Sequence, residues 1–336
     1  MDNFTHTLTG IALSQAGLKR KTRFATLALV LASNAPDVDV VTRIRGSASY
    51  LEYHRGITHS FAGLAGLALM LTALIYLPGR RARPKPSSPP LNLRWLFLAC
   101  STGLLGHLLL DFTNAYGVRP FMPVSGRWFA WDIMPILDPM LLLLLAAGLG
   151  LPFLLRLVSE EVGAGRPGYR RGAVVALVGL VLLWGVRDFC HRRALSLLAS
   201  NNYAEEPPLR LGAFPTLNPL DWVGVVETDS AFHVLPANSL AADVDPGQAE
   251  VFRKPEPSPA LNAAVASHVG RVFMDFARFP FARVETQPEG GWEVIIRDLR
   301  FGRASGSVGS FEATIDLGPN LQVVGQTFSF MGRPSP

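Results

Sequence analysis

The chain has 336 residues, of which 49% are hydrophobic and only 17% are charged, and its mean hydropathy is positive. These values exclude an ordinary soluble protein over the whole length, because soluble domains carry about 25% charged residues. The formal net charge is +5, but the basic residues lie beside apolar runs, which indicates membrane topology and predicts no nucleic-acid partner. The two cysteines form neither a disulfide framework nor a zinc-knuckle spacing.

The first part of the chain predicts a helical hairpin. Asn3–Gly17 is an amphipathic stretch that ends at a glycine, and Phe24–Ala35 is a second apolar stretch too short to cross a bilayer alone. The hairpin returns Asp37 and Asp39 to the end of the molecule that carries His6. The polar start of the chain does not match a cleavable signal peptide.

Four longer apolar runs follow, and a membrane-spanning helix needs about 20 apolar residues. The runs are Ser60–Leu77, Leu93–Phe112, Ile136–Val158 and Gly172–Val186, the last continuing as an amphipathic helix through His191–Leu198. We therefore expect about four transmembrane helices in addition to the hairpin.

The rest of the chain has ordinary soluble composition. Four prolines predict a linker: Pro207, Pro208, Pro215 and Pro219. Beyond it, the alternating or β-branched runs are Phe232–Leu235, Ala282–Thr286, Trp292–Ile296, Phe311–Ile315 and Leu321–Phe328, with one helix around Ser258–Phe276. The predicted fold is mainly α: a polytopic helical membrane domain (residues 1–199) followed by a soluble α+β module with a small antiparallel sheet (residues 200–336).

His107 and Asp111 are the most informative polar residues of the apolar part. They are four positions apart near the end of the run Leu93–Phe112, so both side chains leave one face of one helix. An imidazole and a carboxylate placed in this way can bind one divalent metal ion. A His–Asp hydrogen bond that joins two helices is the alternative, and ionisable residues inside a membrane helix favour the functional interpretation.

Two further motifs bring similar residue types. Asp37 and Asp39 follow Pro36, where a turn or a helix cap is the more common role. His54 and His59 are five residues apart, so they cannot share a helix face, although a loop histidine and a histidine at a helix start can converge on a metal. We expect Thr58 to cap the helix that follows.

Asp138 stands directly before Pro139, which predicts a helix N-cap, with metal binding as the alternative for Asp138 and for Asp132.

Topology places these motifs together. His59 stands at the start of one predicted crossing and His107 near the end of the next, so both lie on the same side of the membrane. Lys and Arg concentrate on the opposite side, in the loops at residues 19–23 and 78–92 and after Val158. The positive-inside rule then puts the His/Asp motifs and the C-terminal module outside the cytoplasm.

In combination, the motifs resemble the YdjM-type membrane-bound metal-dependent hydrolases, a family with LexA-regulated inner-membrane members. The motifs are Thr5-His6-Thr7-Leu8-Thr9-Gly10, Pro36–Asp39, His54–Ser60, His107–Asp111 and Asp138-Pro139, within Met1–Val186. The resemblance implies a bacterial or archaeal cytoplasmic-membrane protein with a His/Asp metal site, and its distant likeness to zinc phospholipases and nucleases implies phosphoester substrates.

Seven candidate ligands exceed the needs of one catalytic zinc ion, so two ions are possible, with Zn²⁺ expected first and Mn²⁺ or Fe²⁺ as alternatives. The candidates are His6, Asp37, Asp39, His54, His59, His107 and Asp111. Asp39 bridges the ions or supports a ligand, and Arg55, Arg119 or Arg127 binds substrate phosphate or lipid headgroups. The predicted function is hydrolysis of a phosphoester or other ester, lipid or lipid-linked, by a metal-activated water. The alternative is a non-enzymatic protein with a structural metal and a partner-binding outer domain.

Overall fold

The computed structural model of the chain describes residues 1–84, 86–162, 169–288, 290–301 and 311–330. Residue 85 and residues 163–168 lie outside this range. They include some of the basic residues from which the orientation in the membrane was predicted. The helices of the first 200 residues are α1 (Asn3–Ala16), α2 (Ala25–Ala32), α3 (Ser47–Tyr53), α4 (Phe61–Gly79), α5 (Leu93–Phe112), α6 (Pro139–Val162) and α7 (Tyr169–Ala199).

Three of these helices, α4, α5 and α7, are long and apolar enough to cross a membrane. The predicted crossing Ile136–Val158 corresponds to α6, whose apolar part within the described residues, Pro139–Pro152, is shorter than a full span. The predicted continuation of the last crossing is confirmed, because α7 runs without a break to Ala199.

The predicted hairpin is present as α1 and α2. Gly17 ends α1 with a φ of 156°, a value that favours glycine. Two glycines let α2 pack closely on both neighbours: a Cβ at Gly10 of α1 would lie 3.1 Å from the carbonyl oxygen of Leu29, and a Cβ at Gly103 of α5 would lie 2.9 Å from the same atom. Small residues at helix contacts are typical of membrane proteins.

Within its described residues, the C-terminal part contains two antiparallel sheets of four strands, ordered β1-β2-β3-β4 and β5-β6-β7-β8, instead of the single small sheet expected. The strands are β1 (Arg210–Pro215), β2 (Asp221–Glu227), β3 (Ala231–Asn238), β4 (Glu250–Arg253), β5 (Pro280–Thr286), β6 (Trp292–Asp298), β7 (Glu312–Leu317) and β8 (Val323–Ser329). All five predicted strands are found.

Two predictions for this part are wrong. The proline-marked stretch contains β1, and β2 begins two residues after Pro219; β1 is an edge strand that ends at Pro215, where a proline is tolerated because an edge has unpaired positions. The single expected helix is broken into α8 (Pro259–Ala266) and α9 (His268–Phe276) at Ser267. The Ser267 hydroxyl accepts a hydrogen bond from the Gly270 N–H and so starts a new helix.

Tertiary contacts divide the chain into two compact units. The first comprises Met1–Asp39 and Arg55–Asp188, and the second comprises Val40–His54 and Phe189–Pro336. The predicted domains, 1–199 and 200–336, follow chain order and stay a prediction. The compact units differ from them at residues 40–54 and 189–199, which group with the C-terminal part.

Candidate metal centre

Four side chains of the first unit form a cluster that could hold a metal ion: Asp37, His59, His107 and Asp111. Asp37 lies in a 3₁₀ segment that follows α2, and His59 ends a 3₁₀ turn directly before α4. His107 and Asp111 lie in the last two turns of α5, one turn apart on one face, as the sequence predicts. The cluster therefore forms where one apolar helix begins and the next one ends.

The distances within the cluster fit one ion. Nε2 of His59 lies 3.0 Å from Nε2 of His107, 3.3 Å from Oδ2 of Asp111 and 3.5 Å from Oδ1 of Asp37. Nε2 of His107 lies 3.4 Å from Oδ2 of Asp111 and 3.7 Å from Oδ1 of Asp37. A tetrahedron with metal–ligand bonds of about 2.0–2.1 Å has edges of about 3.3 Å, so these separations fit nitrogen and oxygen ligands of a first-row ion.

Backbone and hydroxyl groups fix the orientation of both imidazoles. Nδ1 of His107 donates a hydrogen bond to the carbonyl oxygen of Ser33 at 2.8 Å, which leaves the lone pair of this ring on Nε2. Nδ1 of His59 contacts the Thr58 hydroxyl at 3.0 Å and Oδ2 of Asp39 at 3.4 Å. Such partners on the far side of the ring are typical of metal-binding histidines.

Asp39 therefore faces the outer side of His59, away from His107. Its Oδ2 also accepts hydrogen bonds from the Thr58 hydroxyl at 2.8 Å and from the Arg55 N–H at 3.0 Å. The predicted capping role of Thr58 is wrong: Ser60 caps α4 by accepting from the Gly63 N–H, while Thr58 bonds to Asp39.

The two oxygens of the buried Asp111 have different surroundings. Oδ1 accepts from the guanidinium of Arg55 at 3.0 Å and from the amino group of Met1. Oδ2 has no hydrogen-bond donor among the described residues and faces the two Nε2 atoms of His59 and His107. A buried carboxylate oxygen without a donor is costly, and a cation at this point would satisfy it.

His6 lies beside the four-residue cluster. Its ring stacks on His107 with 3.9 Å between centroids, and its Nε2 is 3.3 Å from Oδ1 of Asp111. Both ring nitrogens lack a hydrogen-bond partner among the described residues. Burial and, to a smaller extent, the neighbouring His107 together lower the pKa of His6 to about 4, so the ring is neutral and able to bind a metal at pH 7.

His59 has the opposite shift. Burial lowers its pKa, but the adjacent carboxylates of Asp111, Asp37 and Asp39 stabilise the protonated ring, outweigh burial and raise the pKa to about 10. Hydrogen bonding to His59 also lowers the pKa of Asp37, against the effect of burial. When no cation is bound, a proton on His59 supplies the positive charge that balances the carboxylates around it.

Arg55, predicted to bind substrate phosphate or lipid headgroups, is buried and has many partners. Besides Asp111, its guanidinium donates to the Asn114 side-chain oxygen at 3.0 Å and to the Gly117 carbonyl at 3.2 Å, and it lies 4.7 Å from the ring centre of Tyr116. Its observed contacts balance the charge of Asp111 and hold the turn after α5.

Three further residues that the sequence singled out have other partners in the structure. His54 belongs to the second unit, where it ends α3 and stacks on Tyr50 at 4.4 Å, and its role as a ligand stays a prediction. Arg119 is buried 4.5 Å from the Trp128 ring centre, and the exposed Arg127 lies over Phe129.

Asp138 has the partners of a structural residue. Its Oδ1 accepts from the Leu141 N–H at 2.8 Å, as expected of a helix cap, and its Oδ2 pairs with the buried Arg187 at 2.6 Å.

Sequence reasoning missed two residues that contact the centre, Ser33 and Asn114. Ser33 acts through its carbonyl group, which has no residue signature, whereas Asn114 stands three residues after Asp111 in a polar turn and was recognisable as a partner.

The fold and this cluster define a class: a helical membrane protein with a buried His/Asp centre that could hold a metal ion. The chain belongs to the YdjM inner membrane protein family, whose model matches residues 1–194. It is also 26% identical to the protein of Bacillus subtilis (strain 168) described as "Uncharacterized protein YfhP", over 96% of this chain and 93% of that protein. No solved structure matches the chain.

Proposed function

We propose that the chain is a membrane-bound metal-dependent hydrolase that acts on a phosphoester or other ester. The observation that carries the proposal is the arrangement of Nε2 of His59, Nε2 of His107 and Oδ2 of Asp111 within 3.0–3.4 Å of one another, all buried. Nitrogen and oxygen donors together suit Zn²⁺ first, and also Mn²⁺ or Fe²⁺. A divalent ion in such a centre supplies Lewis-acid charge and lowers the pKa of water in contact with it.

The chain's own residues then have distinct tasks. His59, His107 and Asp111 would hold the ion, and Asp37, whose side chain is 19% exposed, would hold it on the side that solvent reaches. His6 is the candidate for a further ligand or for a second ion. Ser33, through its carbonyl group, and Asp39 orient the imidazoles, so they act as positioning residues.

The position of the centre supports a lipid or lipid-linked substrate. His59 lies two residues before the start of α4 and Asp111 is the last residue but one of α5. We therefore place the centre at one boundary of the membrane. A substrate whose reacting group lies at headgroup level would reach it without leaving the bilayer. From the distribution of Lys and Arg, we propose that this boundary is the extracytoplasmic one and that the C-terminal part lies on the same side.

A structural metal site is the second candidate, because the cluster already offers four protein donors. Structural zinc sites are closed by four protein ligands, whereas catalytic sites keep a position open. Under this alternative the C-terminal part binds a partner and the ion stabilises the membrane part. The partial exposure of Asp37 favours the catalytic interpretation, since this ligand position is open to exchange with water.

Activity of the purified protein decides between the two. The chain in lipid nanodiscs is stripped with a chelator, reloaded with Zn²⁺ or Mn²⁺, and assayed for metal content and for cleavage of bis(p-nitrophenyl) phosphate, p-nitrophenyl acetate and phosphatidic acid. We expect ion-dependent cleavage that is lost in His107→Ala and kept in His233→Ala, since His233 is a buried histidine of the other unit. A bound ion without any cleavage would favour the structural role, and full metal content in His107→Ala would refute the site.

A further inference from the structure

The loop between α5 and α6 contains a short hairpin, residues 118–129, on the same side as the metal centre. Val118 and Phe129 close it by two backbone hydrogen bonds of 2.8 and 2.9 Å. The chain turns back between them, with the Val124 N–H donating to the Phe121 carbonyl at 3.0 Å. We call this element the 118–129 hairpin and its residues 121–124 the tip.

The tip of the hairpin is apolar and exposed. Val124 is 94% exposed and Phe121 is 50% exposed. The Phe121 ring contacts Phe129 at 5.4 Å and Phe61 at 5.7 Å, both edge to face. The exposed tip is therefore the end of an aromatic cluster rather than an isolated apolar side chain.

This cluster continues the apolar outer surface of a candidate membrane span. Phe61 is the first residue of α4 and is itself 51% exposed, and its N–H donates to the Pro120 carbonyl at 2.9 Å. Further along α4, Leu69 and Leu74 are exposed by 63% and 62%, as expected of residues that face lipid. The hairpin is thus attached to the helix at the level where the span begins.

The composition around the tip matches a membrane–water interface. Trp128 and the exposed Arg127 follow the tip, and Arg127 lies over the Phe129 ring at 5.4 Å. Aromatic rings are enriched at headgroup level, and cationic side chains there meet lipid phosphate. In water, by contrast, an apolar tip of this kind gains nothing from its exposure.

We propose that the 118–129 hairpin inserts its tip into the interfacial layer of the bilayer beside the start of α4. The hairpin is tied to the metal centre at its base, because the Arg119 N–H donates to the Arg55 carbonyl at 3.3 Å. Insertion of the tip then fixes the depth of Arg55 and of its partner Asp111 relative to the lipid headgroups. The inference concerns membrane contact and holds whether or not the centre is catalytic.

Site-specific fluorescence tests it. Val124→Cys is labelled with the polarity-sensitive dye NBD in the full chain, in nanodiscs with and without phosphatidylcholine spin-labelled near the headgroup. Native Cys100 and Cys190 are buried, so unmodified chain is the labelling blank. Leu240→Cys is the matched control, because Leu240 is an apolar residue with 72% exposure in the C-terminal part.

We expect the dye at Val124 to emit at shorter wavelength than the dye at Leu240, to be quenched at least twofold by the spin-labelled lipid, and to be shielded from aqueous iodide. The dye at Leu240 should show the reverse. Iodide quenching at Val124 equal to that at Leu240 would overturn the proposal. Shielding from iodide without quenching by lipid would also overturn it, since the tip would then be covered by protein, such as a second copy of the chain.

Discussion

Two buried carboxylates, one in each unit, lie beside an arginine and yet have different surroundings. In the C-terminal unit, Asp298 accepts from the Arg300 guanidinium at 2.8 Å and from the N–H groups of Arg278 and Arg300 at 3.0 and 3.1 Å, so both of its oxygens have donors. In the membrane unit, Asp111 accepts hydrogen bonds on Oδ1 only, from the Arg55 guanidinium and the Met1 amino group. Its Oδ2 faces two imidazole nitrogens and no hydrogen-bond donor among the described residues.

The difference separates a carboxylate that holds a fold from one that can bind an ion. A buried carboxylate whose oxygens are all bonded to donors is complete, and an added cation would displace existing bonds. A buried carboxylate oxygen without a hydrogen-bond donor is costly, and a cation held beside it would offset that cost. The surroundings of each oxygen, rather than burial or a nearby arginine, therefore mark Asp111 as the candidate ligand.

The largest expected effect is on the two carboxylates themselves. Asp111→Asn should weaken Zn²⁺ binding by at least about 100-fold, because one donor and one negative charge leave the centre. Asp298→Asn should leave the Zn²⁺ affinity within twofold, although both changes leave a buried arginine without its partner and cost about 3–5 kcal/mol of stability. Competitive titration against a zinc-sensitive dye measures the affinity, and thermal unfolding in nanodiscs measures the stability.

The comparison would fail if both variants lost Zn²⁺ equally, because the effect would then follow from stability alone. It would also fail if Asp111→Asn kept full affinity. His107→Ala is the second test variant, for the case in which the Asp111→Asn protein does not fold. It removes a ligand but leaves the ion pair between Asp111 and Arg55 in place.

Much of this centre is predictable from the sequence because its ligands follow helix geometry. The i, i+4 spacing placed His107 and Asp111 on one face, and the direction of successive helices brought His59 to the same end. The features that could not be predicted depend on backbone atoms, which every residue type has, or on contacts between residues far apart in the sequence. The Ser33 carbonyl is one example, and the contrast between the two oxygens of Asp111 is another.

The C-terminal part was harder to predict for a different reason. Strand β1 lies among prolines that resemble a linker and β2 follows them, and only the pairing of β1 with β2 and of β2 with β3 makes them part of a sheet. The break at Ser267 in the expected helix depends on a cap of one residue. Long-range pairing of strands is set by tertiary contacts, whereas the apolar runs of the membrane helices are visible locally.

A smaller effect is expected at Asp39, which contacts the outer side of His59. Asp39→Asn should weaken Zn²⁺ binding by about 10–100-fold without removing the ion, as is usual for a partner of a metal-binding histidine. The same titration checks it, with Asp138→Asn as a control for loss of a buried carboxylate elsewhere in the unit. An affinity unchanged in Asp39→Asn would mean that the orientation of His59 is fixed without this contact.

The pH dependence of binding should be about tenfold per pH unit between about pH 7 and 10 and should trace to His59. The pKa of His59, about 10, lies above its ordinary value of 6.5. Its proton therefore stabilises the fold without a bound ion fully below pH 6.5, and this contribution is lost as pH rises through 10. A bound ion must displace that proton, so affinity rises with pH.

The neutral His6 releases no proton in this range, since its pKa is about 4. Calorimetric titration with Zn²⁺ at pH 7.5, in two buffers of different ionisation enthalpy, should therefore show release of about one proton per ion. Binding that is independent of pH, or release of two protons, would contradict the assigned protonation of the two histidines.

The smallest effect is expected from the packing of α2 against α5 at Gly103, which lies about one turn before His107. A Cβ at Gly103 would lie 2.8 Å from the Ala32 Cβ and 2.9 Å from the Leu29 carbonyl oxygen, so Gly103→Ala must push α2 away from α5 at a cost of about 1–3 kcal/mol. Because Ser33 ends α2, its carbonyl then moves from Nδ1 of His107, and Zn²⁺ affinity should fall a few-fold.

Gly66→Ala is the matched control for this packing effect, since a Cβ at Gly66 of α4 meets nothing within 4 Å. It should leave both the Zn²⁺ affinity and the unfolding temperature of the protein close to those of the unmodified chain. Equal effects of the two substitutions would show that the approach of α2 to α5 does not set the orientation of His107. The surroundings of Asp111 would then be set by α5 and the loop that follows it, and not by the helical hairpin of α1 and α2.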